Sequence, residues 1–294
     1  MEERITLSRI VWGLWRIKSW NKTPKELART MNKLLDLGVD TVDLADIYGD
    51  YEATRIFGEV LQADPTLSNR IKVVTKTGIV LLSEKQQQVY VKHYDTSAEH
   101  IIASVEQSLL DLGRDHIDLL LIHRPDPFTD PLEVAQAFDQ LHKEGKVLSF
   151  GVSNFMPYNH SLLSKYVKQP LSVNQIEISL VHPEPFLDWQ IPYMMENDII
   201  PMAWSPLGGG KLFASDEPSM VNVRKALEQI AQNHGVTAEH IAYSWLLNHP
   251  ANIVVIAGSS KYDRVKSAVE AKDIVLDRQE WFYLLEQATG EPVP

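Results

Sequence analysis

The sequence contains no cysteine, and this absence excludes several kinds of chemistry. Disulfide bonds, metal sites built on thiolates and cysteine nucleophiles all need a residue that the chain lacks. A chain without cysteine also suits a reducing compartment. We therefore expect a cytoplasmic protein.

Long apolar runs and an excess of positive charge are also missing. No segment approaches the roughly 20 apolar residues of a membrane span, and the charged residues 1–13 lack the apolar stretch of a signal peptide. The 39 acidic and 28 basic side chains leave a net charge of −11. Because this charge repels nucleic-acid phosphates and anionic lipids, we expect neither nucleic acid nor a membrane as a partner.

What the sequence does contain is a regular alternation of short apolar runs with segments of helical period. Eight runs have the length of a strand, and no linker or low-complexity tract divides them. The runs are residues 9–15, 41–45, 71–76, 117–123, 148–154, 171–177, 199–205 and 251–258. Eight strand-and-helix units in 294 residues are typical of a (β/α)₈ TIM barrel. We therefore predict an α/β protein with a single barrel domain over residues 1–294.

Helix boundary signals between the runs support this pattern. The sequence TPKE at residues 23–26 places a threonine cap before a proline and a glutamate three positions later. Residues 96–99 and 130–133 repeat this arrangement, with Thr96 in the capping position of the first. Glycines suited to left-handed C-terminal caps follow three helical segments, at Gly38, Gly113 and Gly145.

The competing architecture is an open doubly wound sheet. A dinucleotide-binding sheet of that type shows G-x-G-x-x-G after its first strand, and this chain has no such motif there.

Four titratable residues lie at or near the carboxyl ends of three consecutive predicted strands: Asp43, Tyr48, Lys76 and His123. These strand ends form the mouth of a TIM barrel, where such enzymes carry out their chemistry. A cation beside a phenol lowers the pKa of the phenol from about 10, so that it can exchange a proton near neutrality. The acid would hold the cation in place. The combination therefore predicts a proton-transfer site.

Each of these residues also has a purely structural explanation. Asp43 is then a polar strand end, Tyr48 a loop aromatic, Lys76 a solvated charge and His123 a satisfied histidine at the edge of the core. Asp46 could cap a turn as easily as take part in chemistry.

Four segments around these residues resemble successive signatures of the aldo-keto reductases. They are TVDLADIYG (41–49), VVTKTG (73–78), LLLIHRPD (119–126) and FGVSNF (150–155). The resemblance runs from near residue 9 to near residue 268. It implies a TIM barrel that binds an extended nicotinamide cofactor without a Rossmann motif and reduces aldehydes and ketones.

The resemblance also implies a role for each residue of the cluster. Tyr48 would be the general acid that protonates a small-molecule carbonyl as hydride arrives, and Lys76 would lower the pKa of Tyr48. Asp43 would pair with Lys76, and His123 would orient the carbonyl oxygen. No metal takes part in this scheme.

Cofactor residues are implied in the same way. Ser153, Asn154 and Gln175 resemble the family's carboxamide-binding trio, and Trp204 stands where an aromatic stacks on nicotinamide. Strand-end caps and a core tryptophan are the structural alternatives. The remaining cofactor positions are Gly13, Trp15, Ser205, Pro206, Leu207, Gly208, Lys211, Gly258, Ser259, Lys261 and Arg264.

Residues 256–268 resemble the segment that binds the adenosine end of the cofactor. Ser259, Lys261 and Arg264 are available there for a 2′-phosphate, so NADPH is expected rather than NADH. Lys211, within the glycine-rich turn at 205–212, would add a counter-charge for phosphate.

Two other functions stay open from the residues alone. Lys76 could form a Schiff base, as in barrel aldolases, or the barrel could bind NADP(H) as a redox-sensing or interaction subunit. A metal site is not indicated, because HRPD at 123–126 offers one histidine and one acid without a second ligand pattern.

For the substrate we expect a carbonyl compound with an apolar or aromatic group, bound beside Trp12, Trp20 and the long insertion at 77–97.

Overall fold

The computed structural model describes residues 5–293 and contains a closed barrel of eight parallel strands. The strands are β1 (Ile10–Gly13), β2 (Thr41–Asp43), β3 (Lys72–Thr77), β4 (Leu119–Ile122), β5 (Phe150–Ser153), β6 (Leu171–Glu177), β7 (Ile200–Trp204) and β8 (Val254–Ala257). Each strand pairs with the next along the chain, and β8 pairs with β1. The predicted TIM barrel is confirmed, with each of the eight apolar runs supplying one strand.

Helices follow the strands and cover the outside of the barrel. They are α1 (Pro24–Leu35), α2 (Ala53–Ala63), α3 (Ala98–Leu112), α4 (Pro131–Lys143), α5 (Pro157–Ser164), α6 (Gln190–Glu196), α7 (Pro218–His234), α8 (Ala238–Leu247), α9 (Tyr262–Glu270) and α10 (Arg278–Thr289). Single turns of helix occur at Tyr48–Tyr51, Lys211–Ala214, Ile17–Trp20, Pro65–Leu67, Glu184–Phe186, Gly208–Gly210 and Ala271–Asp273. Helices α7 and α10 pack on each other. Within residues 5–293, no helix is long and apolar enough to cross a membrane.

The predicted helix boundaries hold with one exception. Thr23 forms a full capping box with Glu26, and Asp130 caps α4 through the N–H of Leu132. Gly38, Gly113 and Gly145 all have positive φ, as predicted. The cap of α3 is Ser97, however, and not Thr96. The Thr96 hydroxyl is hydrogen bonded instead to Asp126 and Thr129, so it is not available to the helix.

Side chains alternate across the strands and divide the core in two. The barrel interior is filled by Val11, Val74, Leu119, Leu121, Val173, Met202, Val254 and Ile256. The larger cluster lies between the strands and the helices. Trp12 belongs to this outer cluster, where it is 0% exposed and stacks on Trp20 at a ring separation of 5.6 Å. The expectation that Trp12 contacts substrate is therefore wrong, because its ring packs outside the barrel.

The insertion after Lys76 forms a two-stranded hairpin, Ile79–Val80 with His93–Tyr94. Its connecting loop is tied to the turn that follows β2. The N–H of Leu81 donates to the Tyr51 hydroxyl at 2.8 Å, and Lys85 donates to the Asp50 carbonyl at 2.8 Å. The insertion therefore lies beside the loop that carries Tyr48.

Candidate active site

A buried ion pair joins the ends of β2 and β3 at the mouth of the barrel. Lys76 Nζ donates to both carboxylate oxygens of Asp43, at 2.8 and 2.9 Å, and to the carbonyl of Leu44 at 2.7 Å. Lys76 is 0% exposed and Asp43 is 3% exposed. Because β2 and β3 are neighbouring parallel strands, their carboxyl ends lie side by side and bring the two side chains together. The predicted pair is thus present and shielded from water.

The fourth contact of Lys76 is with Tyr48. Lys76 Nζ lies 3.1 Å from the phenol oxygen, and the tyrosine begins a turn in which Gly49, Asp50 and Tyr51 all have positive φ. Burial raises the pKa of Tyr48 above its ordinary value, whereas the charge of Lys76 acts to lower it. The net lowering that we expected is therefore not found, because burial outweighs the cation. The phenol keeps its proton at neutral pH, which is the form that a proton donor needs.

His123 follows β4 directly and faces Tyr48, with the two rings edge to face at 5.8 Å. Burial lowers its pKa to about 2, and the nearby charges of Lys76, Arg124 and Lys92 act in the same direction. The imidazole is therefore neutral. Its buried Nδ1 has no hydrogen-bond partner within residues 5–293. An unsatisfied buried nitrogen is costly, and a bound ligand would remove that cost.

The predicted carboxamide trio and Trp204 form one hydrogen-bonded chain. Ser153 Oγ donates to the Gln175 carbonyl at 2.8 Å, Asn154 Nδ2 donates to Ser153 Oγ at 2.8 Å, and Trp204 Nε1 donates to Asn154 Oδ1 at 3.0 Å. The Gln175 side chain also donates to Asp43 Oδ1 at 2.7 Å. The sequence did not predict this last contact, which connects the trio to the Asp43–Lys76 pair.

Two of the three glycines expected at the cofactor site, Gly13 and Gly208, lie where no side chain would fit, whereas a Cβ on Gly258 would meet only the Gly13 carbonyl at 3.8 Å. A Cβ on Gly13 would lie 2.6 Å from the Ile256 side chain and 3.3 Å from Gly258 Cα. A Cβ on Gly208, which has a φ of +60°, would lie 2.5 Å from the Val181 side chain. These contacts give Gly13 and Gly208 a structural reason to be glycine whether or not a cofactor is bound.

The other residues predicted to bind the cofactor lie in loops at the mouth of the barrel. Trp15 is 57% exposed, with its ring 6.5 Å from that of Tyr48. Ser205, Pro206 and Leu207 follow β7, and the Ser205 carbonyl accepts from the N–H of Gly208 at 2.7 Å.

Three exposed cations stand at the expected phosphate positions. Lys211 begins the helical turn Lys211–Ala214, which comes after β7 and the glycine-rich loop. Lys261 and Arg264 lie at the start of α9. Ser259 accepts the backbone N–H of Lys261 at 3.1 Å. In the described part of the chain none of the three cations forms an ion pair with an acidic side chain. Exposed cations without acidic partners fit the phosphate groups of a nicotinamide cofactor.

Asp46, the second acid of the segment, supports the turn that carries Tyr48. It accepts from the N–H of Ile47 at 2.7 Å and from Ser104 Oγ of α3 at 2.9 Å. Burial raises its pKa to about 6. Of the two roles that the sequence left open for Asp46, the contacts support the structural one.

The side chains that the structure describes do not form a metal-binding site. Among residues 5–293, no group of three or more histidine, aspartate or glutamate side chains is arranged to hold a metal ion.

Comparison with known proteins assigns the class of this barrel. The model of the aldo/keto reductase family matches residues 9–287, and the chain belongs to this family. A 6-dehydroglucose reductase of Agrobacterium fabrum is 44% identical over 100% of this chain and 98% of its own length. The oxidoreductase YdhF of Escherichia coli is 43% identical, with 100% of both chains covered.

A solved structure gives the same fold. The glycerol dehydrogenase of Gluconobacter oxydans matches with a TM-score of 0.85 and 25% identity, covering 100% of this chain and 96% of its own. The resemblance inferred from the four sequence signatures is confirmed. Members of the family generally use nicotinamide cofactors and act on small-molecule carbonyls.

Proposed function

We propose that the protein is an NADPH-dependent oxidoreductase that reduces aldehydes or ketones to alcohols by direct hydride transfer. The observation that carries this proposal is the position of Lys76, whose Nζ contacts both oxygens of Asp43 and the phenol of Tyr48. The phenol faces the unsatisfied imidazole of His123. A carbonyl oxygen between phenol and imidazole would meet a proton donor on one side and a neutral hydrogen-bonding ring on the other.

Each protein group has a distinct task in this reaction. The cofactor, when bound, supplies the hydride that reduces the carbonyl carbon. Tyr48 donates its proton to the carbonyl oxygen, and the ammonium of Lys76 stabilises the phenolate that this leaves. Asp43 keeps Lys76 charged and in place. His123 orients the oxygen through a neutral ring nitrogen.

The Schiff-base alternative is disfavoured by the surroundings of Lys76. An amine that attacks a carbonyl must be uncharged and reachable. Burial acts to lower the pKa of Lys76, but Asp43 and Tyr48 outweigh it and the net pKa is raised. All its contacts are with acceptors at 2.7 to 3.1 Å. Borohydride trapping of a carbonyl on Lys76 would reverse this preference.

The choice of NADPH over NADH depends on Lys261 and Arg264. We expect Arg264→Ala to weaken NADPH binding about 10- to 100-fold, because a hydrogen bond to a charged phosphate is lost. NADH affinity should change less than about threefold, because NADH has no 2′-phosphate. Fluorescence titration with both nucleotides gives the two affinities.

Lys266→Ala is the control for Arg264→Ala. Lys266 lies on the same helix but is paired with Glu270, so its removal should leave both affinities unchanged. Equal losses of NADPH and NADH affinity in Arg264→Ala would contradict the assignment.

The function itself is tested by NADPH oxidation with a panel of carbonyls. The panel contains aromatic aldehydes, quinones and diketones, together with hydroxylated aldehydes because the Agrobacterium fabrum relative is named for a glucose derivative. Carbonyl-dependent oxidation supports the proposal. Tight NADPH binding without turnover of any carbonyl would favour the redox-sensing or interaction subunit, and absence of NADPH binding would overturn both.

A further inference from the structure

A cleft of about 280 Å³ opens beside Trp204 at the mouth of the barrel. Its walls are mostly polar or charged, and they include Arg124, Asn154, Glu177, His182, Gln190 and Trp204. Neither Trp20 nor any residue of the insertion at 77–97 lines it. The cleft is therefore a different surface from the apolar or aromatic wall predicted from the sequence, and that substrate preference stays a prediction.

Arg124 is the first unusual member of the cleft. It follows His123 in the chain, is half-buried, and places its guanidinium carbon 5.9 Å from the centre of the Trp204 ring. Within residues 5–293, the guanidinium makes neither a hydrogen bond nor an ion pair. Five N–H donors beside a cleft are thus left for a ligand.

Glu177 is the second unusual residue in the wall of the cleft. It ends β6 two residues after Gln175, so both side chains point to the same face of the strand. Gln175 reaches Asp43 on that face. Glu177 is half-buried, and its carboxylate has no hydrogen-bond or ion-pair partner in the described chain. Arg124 and Glu177 therefore line one cleft without pairing to each other.

The two unpaired charges restrict the chemistry of the ligand. A carboxylate would be attracted by Arg124 but repelled by Glu177, and a cation would meet the opposite conflict. An apolar group would cover both charges without giving either a hydrogen bond, which is costly. A hydroxyl group both donates and accepts, so a neutral chain with several hydroxyls satisfies both residues.

We propose that this cleft is a hydroxyl-binding subsite, in which Arg124 and Glu177 select hydroxylated aldehydes or ketones. This inference rests on the proposed carbonyl reduction and names its substrate class. The cleft is close to the reaction centre, because Asn154 Nδ2 donates to the carbonyl of His123 at 3.2 Å and Asn154 is itself part of the wall. Hydroxyls next to the reacting carbonyl would lie within reach of the cleft.

The test compares glyceraldehyde with propanal, which have the same three-carbon chain with and without hydroxyls. We expect the wild type to have the higher kcat/KM with glyceraldehyde. Arg124→Ala and Glu177→Gln should each lower that value about 10- to 100-fold, mainly through KM, because each loses a hydrogen bond to a charged group. Propanal reduction should change less than about threefold. Arg55→Ala, an exposed arginine on α2, is the matched control for charge loss.

Several results would overturn the subsite. Equal losses for both aldehydes would mean that the residues act on the shared reaction, and a loss of NADPH affinity would assign the cleft to the cofactor. Better turnover of 4-oxobutanoate than of glyceraldehyde, abolished in Arg124→Ala, would indicate a carboxylate site. Propanal turnover without any preference for glyceraldehyde would overturn the subsite and leave the proposed reduction intact.

A binding measurement tests the subsite even if neither aldehyde is reduced, a result that would count against the proposed function. Glycerol and 1-propanol are the alcohols that correspond to the two aldehydes. Tryptophan fluorescence of the complex with NADP⁺ should show tighter binding of glycerol, and this difference should disappear in Arg124→Ala. Equal affinities in the wild type would overturn the subsite.

Discussion

Replacing Tyr48 with phenylalanine is expected to lower kcat for carbonyl reduction by about 10²- to 10⁴-fold, the usual contribution of general acid catalysis. The substitution removes only the hydroxyl. Lys76 keeps its contacts with Asp43 and the Leu44 carbonyl, and the ring can still face His123. NADPH affinity and folding stability should therefore change little. Single-turnover hydride transfer, with NADPH affinity measured in parallel, separates these effects.

Tyr158→Phe is the control for this experiment, because Tyr158 is a 70% exposed tyrosine on α5. It should retain wild-type rates. A kcat for Tyr48→Phe within about tenfold of the wild type would show that the proton comes from another group.

The pH profile gives a second test of the same role. Burial keeps the pKa of Tyr48 above its ordinary value of 10.0, so the donor is protonated throughout the neutral range. His123, with its pKa lowered to about 2, stays neutral there as well. The rate of reduction should therefore be flat from about pH 7 to 8, above the pKa of Asp46, and fall only as the phenol ionises. A midpoint within that flat range would instead indicate that a histidine titrates during the reaction.

The second large effect concerns the buried pair of Asp43 and Lys76. Asp43→Asn leaves the ammonium of Lys76 in the barrel without a counter-charge, and we expect it to lower the free energy of unfolding by about 3–5 kcal/mol. Lys76→Met should cost a similar amount, because it leaves the Asp43 carboxylate buried and unpaired. Denaturant unfolding of both variants measures these losses.

The double variant separates stability from catalysis. Asp43→Asn with Lys76→Met removes both charges, so it should recover a large part of the stability lost in each single variant. It should not recover activity, because the phenolate of Tyr48 would have no ammonium beside it. Losses that simply add in the double variant would show that the two residues are not energetically coupled.

The barrel itself could be predicted from the sequence because burial on both faces makes parallel strands into apolar runs. The run at 117–123 became a strand at Leu119–Ile122, shorter at both ends because the polar residues Asp118 and His123 flank it and Ile117 forms only an isolated bridge with Val147. The outward direction of the Trp12 side chain needed one fact from the structure. Val11 fills the interior, and period-two alternation then places its neighbour outside.

Part of the candidate site could not be predicted because it depends on closure of the barrel. Gln175 and Asp43 lie on β6 and β2, and their contact at 2.7 Å exists only once the ring is complete. The pKa of Tyr48 depends on how deeply the loops bury the phenol, which no motif encodes. Arg124 did have a signal, since it follows His123 in HRPD, but only the structure shows that it lines a cleft and that its guanidinium has no hydrogen-bond or ion-pair partner among residues 5–293.

The pairing of the first and last strands has a consequence for synthesis of the protein. Ile10 of β1 pairs with Val255 of β8, so roughly 245 residues must be added before β1 meets its second neighbour. At about 5 to 20 residues per second, this takes roughly 12 to 50 s on the ribosome. During that time β1 has only β2 beside it, and its other edge presents unpaired N–H and C=O groups. Shielding of that edge is a requirement of the nascent chain that the finished barrel no longer has.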